Sequence, residues 1–211
     1  MAVMVALGAL LATVVFGALA PSAHAAEAIP RVAQSYRSEV IRYNRYVWGP
    51  AAPVATLAGQ IEQESAWDPR ARSPYASGLT QFTPATARWI SRLYPDLAEA
   101  APLDPRWAIR AQSRYMRRLY LAYVTAATEC EQMAMALSAY NGGAGHTNRQ
   151  RRWAREAGDD PAYWFGHSEN FCRRPAWACR ENIRYPRVIL LKRQVKYRPW
   201  GRGVDCSEAA Q

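Results

Sequence analysis

Lysine is almost missing from this chain. Of its 27 basic residues only Lys192 and Lys196 are lysines, so 25 are arginine. Histidine is equally scarce, with three residues, and cysteine occurs four times. No C-x2-C or H-x3-H spacing exists among them, which excludes the usual zinc arrangements and leads us to expect no metal and no other cofactor. No stretch alternates apolar and polar residues at the strand period, and no segment repeats, so a sheet-based or solenoid architecture is not expected. Disorder is excluded by the opposite observation: half of the 211 residues are hydrophobic and only 21% are charged, enough apolar material for a core. Acidic residues number 17, giving a formal net charge of +10. A surface dominated by arginine suits partners that carry carboxylates or phosphates. Charge alone does not choose between nucleic acid, anionic lipid and an acidic polymer.

Charge is also absent from residues 1–25, which contain no Asp, Glu, Lys or Arg. Met1–Ala20 is an apolar run, and Ala23-His24-Ala25 has the small-x-small pattern of an export cleavage site. We read 1–25 as a signal peptide cut after Ala25. The rival reading is an uncleaved membrane anchor, since about 20 apolar residues span a bilayer. Either way residues 26–211 are expected outside the cytoplasm, in the periplasm or secreted. The even set Cys130, Cys172, Cys179 and Cys206 then suggests two disulfides, with three possible pairings. Cys172 and Cys179 are close in sequence and form the favoured pair, which leaves Cys130 with Cys206. The alternative is four reduced thiols buried as small hydrophobes.

The exported part reads as one mostly helical domain, at 51–200, between a lead-in at 26–50 without clear period and a tail at 201–211. Val54, Leu57, Ile61 and Glu64 follow a helical spacing that stops at Asp68-Pro69. Residues 70–83 read as loop, with room for a short hairpin. Thr83-Pro84 and Asp104-Pro105 each pair an N-cap with a proline at the first helical position. Ile109, Met116, Leu119, Tyr120 and Tyr123 give the second of these helices a buried stripe. A further helix is predicted over Glu131–Tyr140, closed by Asn141-Gly142-Gly143, and a last one from near Pro186.

One glutamate stands out. At about 100° per residue, Glu64 lies about 20° from Leu57, with Ile61 about 40° away on the other side, whereas Glu62 sits about 140° round and is expected in solvent. A carboxylate carried inward on an apolar face is costly to ionise, so its pKa should rise. Such a group is a proton donor near neutral pH, suited to a general acid acting on a glycosidic oxygen. The plainer alternative is a helix-end glutamate that bonds loop N–H groups or pairs with Arg70 or Arg72.

The stretches Gln60-Ile61-Glu62-Gln63-Glu64-Ser65, Ser73-Pro74, Gly78-Leu79-Thr80-Gln81-Phe82-Thr83-Pro84-Ala85-Thr86-Ala87 and Ala139-Tyr140-Asn141-Gly142-Gly143 occur in that order. Together with Glu181-Asn182-Ile183-Arg184-Tyr185-Pro186, this ordered set resembles the soluble lytic transglycosylase family. The resemblance covers about residues 51–195. It implies a lysozyme-like (goose-type) fold whose cleft is lined by a short loop or hairpin. Carried over by position, it implies Glu64 as the catalytic acid/base and Ser65 beside it on the helix. Ser65, Ser73, Gln81, Tyr140, Asn141 and Tyr185 are the implied substrate-binding residues, with Gln81 lining the sugar cleft, Tyr140 close to the acid and Asn141 closing that wall. Three positions depart from the family pattern: Thr80 stands for the usual Met, Tyr75 for a usual glycine in a segment one residue shorter, and Pro186 for the customary Val.

Ordinary glycosidases need two carboxylates. No acidic residue lies between Asp68 and Asp96, so the loop facing Glu64 offers no second one. With a single acid, the other nucleophile has to come from the substrate, as in substrate-assisted glycosidases. The resemblance implies non-hydrolytic cleavage of the MurNAc–GlcNAc bond, closing a 1,6-anhydro ring. The implied partner is the peptidoglycan glycan strand, bound by a monomer without specific nucleic-acid binding and with membrane association only if the leader is retained. Trp67, Trp89, Trp107, Trp153, Trp164 and Trp177 are available for sugar stacking, with one or two expected in the cleft. The run Arg149-Gln150-Arg151-Arg152 with Arg155 can contact peptide carboxylates or wall phosphates, or simply form a solvated helix face. The competing functions are a muramidase-type hydrolase and a non-catalytic wall-binding protein.

Overall fold

A computed structural model describes residues 28–210, so the leader reading lies outside the described residues. Nine α-helices are present among them: α1 Arg31–Gln34, α2 Arg37–Trp48, α3 Val54–Ser65, α4 Pro84–Leu93, α5 Pro105–Leu121, α6 Glu129–Gly142, α7 Ala144–Glu156, α8 Ala176–Val188 and α9 Gln194–Tyr197. Extended pairing among the described residues is limited to the isolated bridges Arg72↔Ser77 and Ser77↔Phe82, the short hairpin for which the loop had room. The two proline-start signals work as their chemistry requires. The Thr83 side chain accepts from Thr86 N–H, and that of Asp104 from Trp107 N–H, each satisfying a donor the helix itself leaves open. Thr128 does the same for Glu131 at the head of α6.

α3 is the central element. Every residue from Val54 to Glu62 is buried, so the helix is enclosed on all sides instead of amphipathic. One face packs into a cluster with Val40, Trp67, Ile90, Ile109 and Trp200, and Leu57 packs into a second cluster with Met133, Leu137, Trp164 and Ile189. Small residues make the enclosure possible. A Cβ on Gly59 would lie 2.9 Å from the Gln194 backbone nitrogen, so only glycine lets the chain at the head of α9 approach this closely.

Residues 31–48, read from sequence as a lead-in without period, form α1 and α2. The buried residues of α2 are Val40, Tyr43 and Asn44, with a single aliphatic among them; Ile41 and Trp48 pack at the margin of the core, and polar bonds add to the attachment. Tyr43 donates to Asp96 at 2.6 Å, and Arg110 donates to Glu39 at 3.1 Å. A hydrophobic period has little to register there. The last helix also begins earlier than expected. α8 starts at Ala176 and holds Pro186 inside its final turns, after which the chain loosens into a π-helical turn, Ile189–Arg193, before α9. Proline favours first turns, which is why Pro186 read as a start.

Both disulfides join the favoured partners, Cys130–Cys206 and Cys172–Cys179. The first fixes the segment after α9 across the molecule. Arg202 O accepts from Ala55 N–H at 2.9 Å, Val204 N–H donates to Thr56 Oγ1 at 3.2 Å, and Val204 is fully buried.

Candidate active site

Glu64 lies in the last turn of α3 and opens into a cleft of about 830 Å³. The turn that carries it ends abruptly. Ala66 and Trp67 both adopt left-handed backbone, with φ of 50° and 69°, a conformation that costs a residue with a Cβ roughly 1–2 kcal/mol. Aromatic packing holds it in place. The Trp67 indole donates to the Tyr197 hydroxyl at 2.6 Å, stacks on Tyr36 and meets Trp200 edge-on. The end of α3, and the direction in which Glu64 leaves it, are thereby anchored in the core.

The Glu64 carboxyl is pushed up to about 8, chiefly by burial and further by the nearby Glu181. A hydrogen bond donated by the Tyr185 hydroxyl to Glu64 Oε1 acts in the opposite direction. That hydroxyl belongs to a chain running into the core. Gln112 Nε2 donates to Gln60 Oε1 at 2.8 Å, and Gln60 Nε2 donates to the Tyr185 oxygen at 3.1 Å. With its acceptor side so occupied, Tyr185 has only its proton to offer, and it offers it to Glu64. Burial holds the Tyr185 and Tyr140 hydroxyls well above the usual phenol range, so both are neutral donors near pH 7. Neither Arg70 nor Arg72 makes an ion pair with Glu64.

The loop between α3 and α4 forms one wall. Its Gly78 has φ +80°, and a Cβ there would fall 1.7 Å from Pro102 O. Gln81 also adopts left-handed backbone, φ 47°, and its Nε2 donates to Ala71 O and Gly78 O, so its amide braces the wall from inside. Tyr140, in the last turn of α6, donates to Thr80 O at 2.8 Å and packs against Phe82 and Tyr115. The hydroxyl of Ser73 accepts from Ala76 N–H at 3.0 Å and caps the loop's outer turn. Asn141 Nδ2 donates to Glu181, while its Oδ1 accepts from Asn182.

The structure thus brings Glu64, Ser73, Gln81, Tyr140, Asn141 and Tyr185 to one cleft. Ser65, expected to bind substrate, is not among the lining residues, because its hydroxyl turns to the loop instead, donating to Leu79 O at 2.9 Å and tying α3 to it. Glu62, expected in solvent, is buried. It accepts from Lys196 Nζ at 2.6 Å and Arg193 Nη1 at 2.8 Å, partners that a wheel of one helix does not contain. None of the described tryptophans lines the cleft; its aromatic residues are Tyr75, Tyr140 and Tyr185. The arginine run 149–155 lies on α7 and contributes none of the lining residues; Arg151 donates to Pro161 O and Thr125, and Arg152 pairs with Glu156.

Sequence reasoning found Tyr185 but missed the rest of what α8 contributes, because the start of this helix was placed ten residues late. Arg180, Arg184 and Val188 line the cleft at helical four-residue spacing, and Glu181 lines it beside Arg180. The loop wall is free of acids, as the sequence implies, but Glu181 brings a second carboxyl group to the opposite wall.

The family description Transglycosylase SLT domain matches residues 44–162, more than half of the chain. A membrane-bound lytic murein transglycosylase F 2 of Alkalilimnicola ehrlichii is 33% identical over 132 residues, covering 60% of this chain and 28% of that protein. A membrane-bound lytic murein transglycosylase F of Vibrio cholerae is 36% identical over 109 residues, covering 51% and 19%. The chain therefore spans between about a fifth and just over a quarter of the length of these relatives. The crystal structure of the 70 kDa soluble lytic transglycosylase of Escherichia coli superposes with a TM-score of 0.55 at 24% identity, over 80% of this chain and 25% of that one. This likeness establishes a shared fold. With the profile match over residues 44–162, the chain belongs to the transglycosylase SLT domain family.

Proposed function

We propose that this chain is a peptidoglycan lytic transglycosylase, with Glu64 acting first as acid and then as base. The observation that carries this reading is a carboxyl group with a pKa of about 8, opening into the cleft and bonded on one oxygen by Tyr185. At neutral pH the carboxyl holds its proton and donates it to the oxygen of the MurNAc–GlcNAc bond. The resulting carboxylate is stabilised by the Tyr185 hydroxyl. The substrate's own N-acetyl group assists departure from the anomeric carbon. Glu64 then removes the proton of the muramoyl 6-hydroxyl, whose oxygen closes the 1,6-anhydro ring, and the enzyme returns to its starting state without consuming water.

Gln81 and Ser73 present the loop wall to the sugars, and Tyr140 and Asn141 present the far side. Two disulfides support an oxidising compartment outside the cytoplasm. No helix among the described residues is long and apolar enough to cross a membrane. We take the working form to be a monomer.

A hydrolytic second reading is favoured by one observation, the presence of Glu181 in the same cleft. Digestion of purified peptidoglycan with mass analysis separates the two, because anhydro ends are lighter by one water than hydrolysed ends. Under the proposal the wild type yields anhydro ends and Glu64→Gln yields none while remaining folded. Retained cleavage by that variant, or hydrolysed ends from the wild type, contradicts it.

A further inference from the structure

Four arginines follow one another along α8 and the π-helical turn, and they fall into two pairs. Arg187 is bonded to Glu169, and Arg193 to Glu62. Arg180 and Arg184 make no hydrogen bond or ion pair among the described residues, although both are exposed and line the catalytic cleft. Their four-residue spacing sets them one turn apart on a single helix face. The acid between them in sequence, Glu181, accepts from Asn141 toward α6. The opposite rim carries no charge of either sign: it consists of Ser73, Ala76 and Tyr75, the last 78% exposed. The cleft is therefore cationic on one lip and neutral on the other.

We propose that Arg180 and Arg184 bind free carboxylates of the peptide stems attached to the glycan strand, so that the site takes peptide-bearing strands and lays them with their stems toward α8. This inference rests on the function proposed above. The sugar–sugar backbone is neutral, and Glu64 acts at the bottom of the cleft. The anions that reach an exposed lip are those carried outward by the stems, and the planar guanidinium matches a carboxylate through two parallel N–H···O bonds. Each such exposed contact is worth about threefold, and the two together about tenfold.

Two readouts test this, one of which does not need turnover. The first is sedimentation of the Glu64→Gln protein with insoluble peptidoglycan in three forms. These are native; with its carboxyls converted to amides by carbodiimide and ammonia; and stripped of stems by an amidase, which leaves the lactyl carboxylate on the sugar. The second is kcat/KM of the wild-type protein on the same three. Native material should be preferred over both others by about tenfold. Arg180→Gln/Arg184→Gln should bring these ratios near one, and the double Arg→Lys variant should restore part of the preference. A native-to-amidated ratio unchanged by the double Gln variant overturns the assignment. A preference retained on stripped strands places the anion on the sugar and also overturns it. Absence of anhydro products on every substrate refutes the proposed function, while the sedimentation ratios still decide the role of the two arginines.

Discussion

A carboxyl group held at about 8 should make the stability of the fold depend on pH in a way that one substitution removes. In an unfolded chain the Glu64 proton is lost near 4.5, the ordinary value for a glutamate. Below that pH both states hold the proton, and the folded state has no handicap. Between about 4.5 and 8 the unfolded chain releases the proton while the folded chain keeps it. Each pH unit across that window therefore favours unfolding by up to about 1.4 kcal/mol. Above about 8 both states are ionised and the loss levels off. The full window corresponds to an upper bound of roughly 5 kcal/mol, and because Glu64 is only partly enclosed and solvent screens it, about 2–3 kcal/mol is the expected net effect. Glu64→Gln has no proton to lose and keeps an acceptor for the Tyr185 hydroxyl. For a domain of this size 1 kcal/mol moves the melting temperature by about 2–4 °C. The variant should therefore melt about 5–10 °C above the wild type at pH 8 and nearly with it at pH 4.5. Scanning calorimetry of both proteins, disulfides intact, across pH 4–9 measures the difference while all other titrations cancel. A gap that is constant with pH, or that widens toward acid, would refute the reasoning.

Three further expectations concern the neighbours of this group. Tyr185→Phe removes the one hydrogen bond that lowers the Glu64 pKa; the alkaline limb of kcat/KM should move up by about one pH unit, and a downward or absent shift contradicts the arrangement. Glu62→Gln removes the carboxylate that Lys196 and Arg193 share, so stability to urea should fall by about 3 kcal/mol, and a loss under 1 kcal/mol would count against the pair. Removing Cys130–Cys206 with paired alanines opens a link between residues 76 apart, and loop-closure entropy sets the expected loss at about 4.5 kcal/mol, read as a drop in the urea midpoint that reduction of the wild type reproduces in direction.

What could be read in advance depended on how local the causes were. Thr83-Pro84 and Asp104-Pro105 announce their helices because cap and proline act within one turn. Glu64 could be placed inward because Leu57 and Ile61 share its helix and its face, although α3 proves enclosed on every side. Glu62 could not. The same wheel puts it outside, and it is inside only because Arg193 and Lys196 approach from more than 130 residues away. α2 stayed unseen because much of what holds it to α5 and to the turn at Pro95–Leu97 is polar, through Tyr43, Glu39, Arg110 and Asp96, and its few apolar contacts form no long stripe. The cationic lip was missed for a related reason: with α8 begun at Pro186, Arg180 and Arg184 fell in an unassigned segment and their common face was lost.

The backbone that closes over the first turn of α3 gives the site a late birth. Thr56 and Val204, which meet there, are 148 residues apart in sequence. At ordinary rates of translation that distance corresponds to about 7–30 s on the ribosome. Through that interval the residues of α3 are already made, but the segment that meets their amides and the cysteine that pins it to α6 are not. The helix bearing the acid can only settle into this arrangement after residues 202–206 have been made, so the groove acquires its shape later than the helix that carries the acid is synthesised.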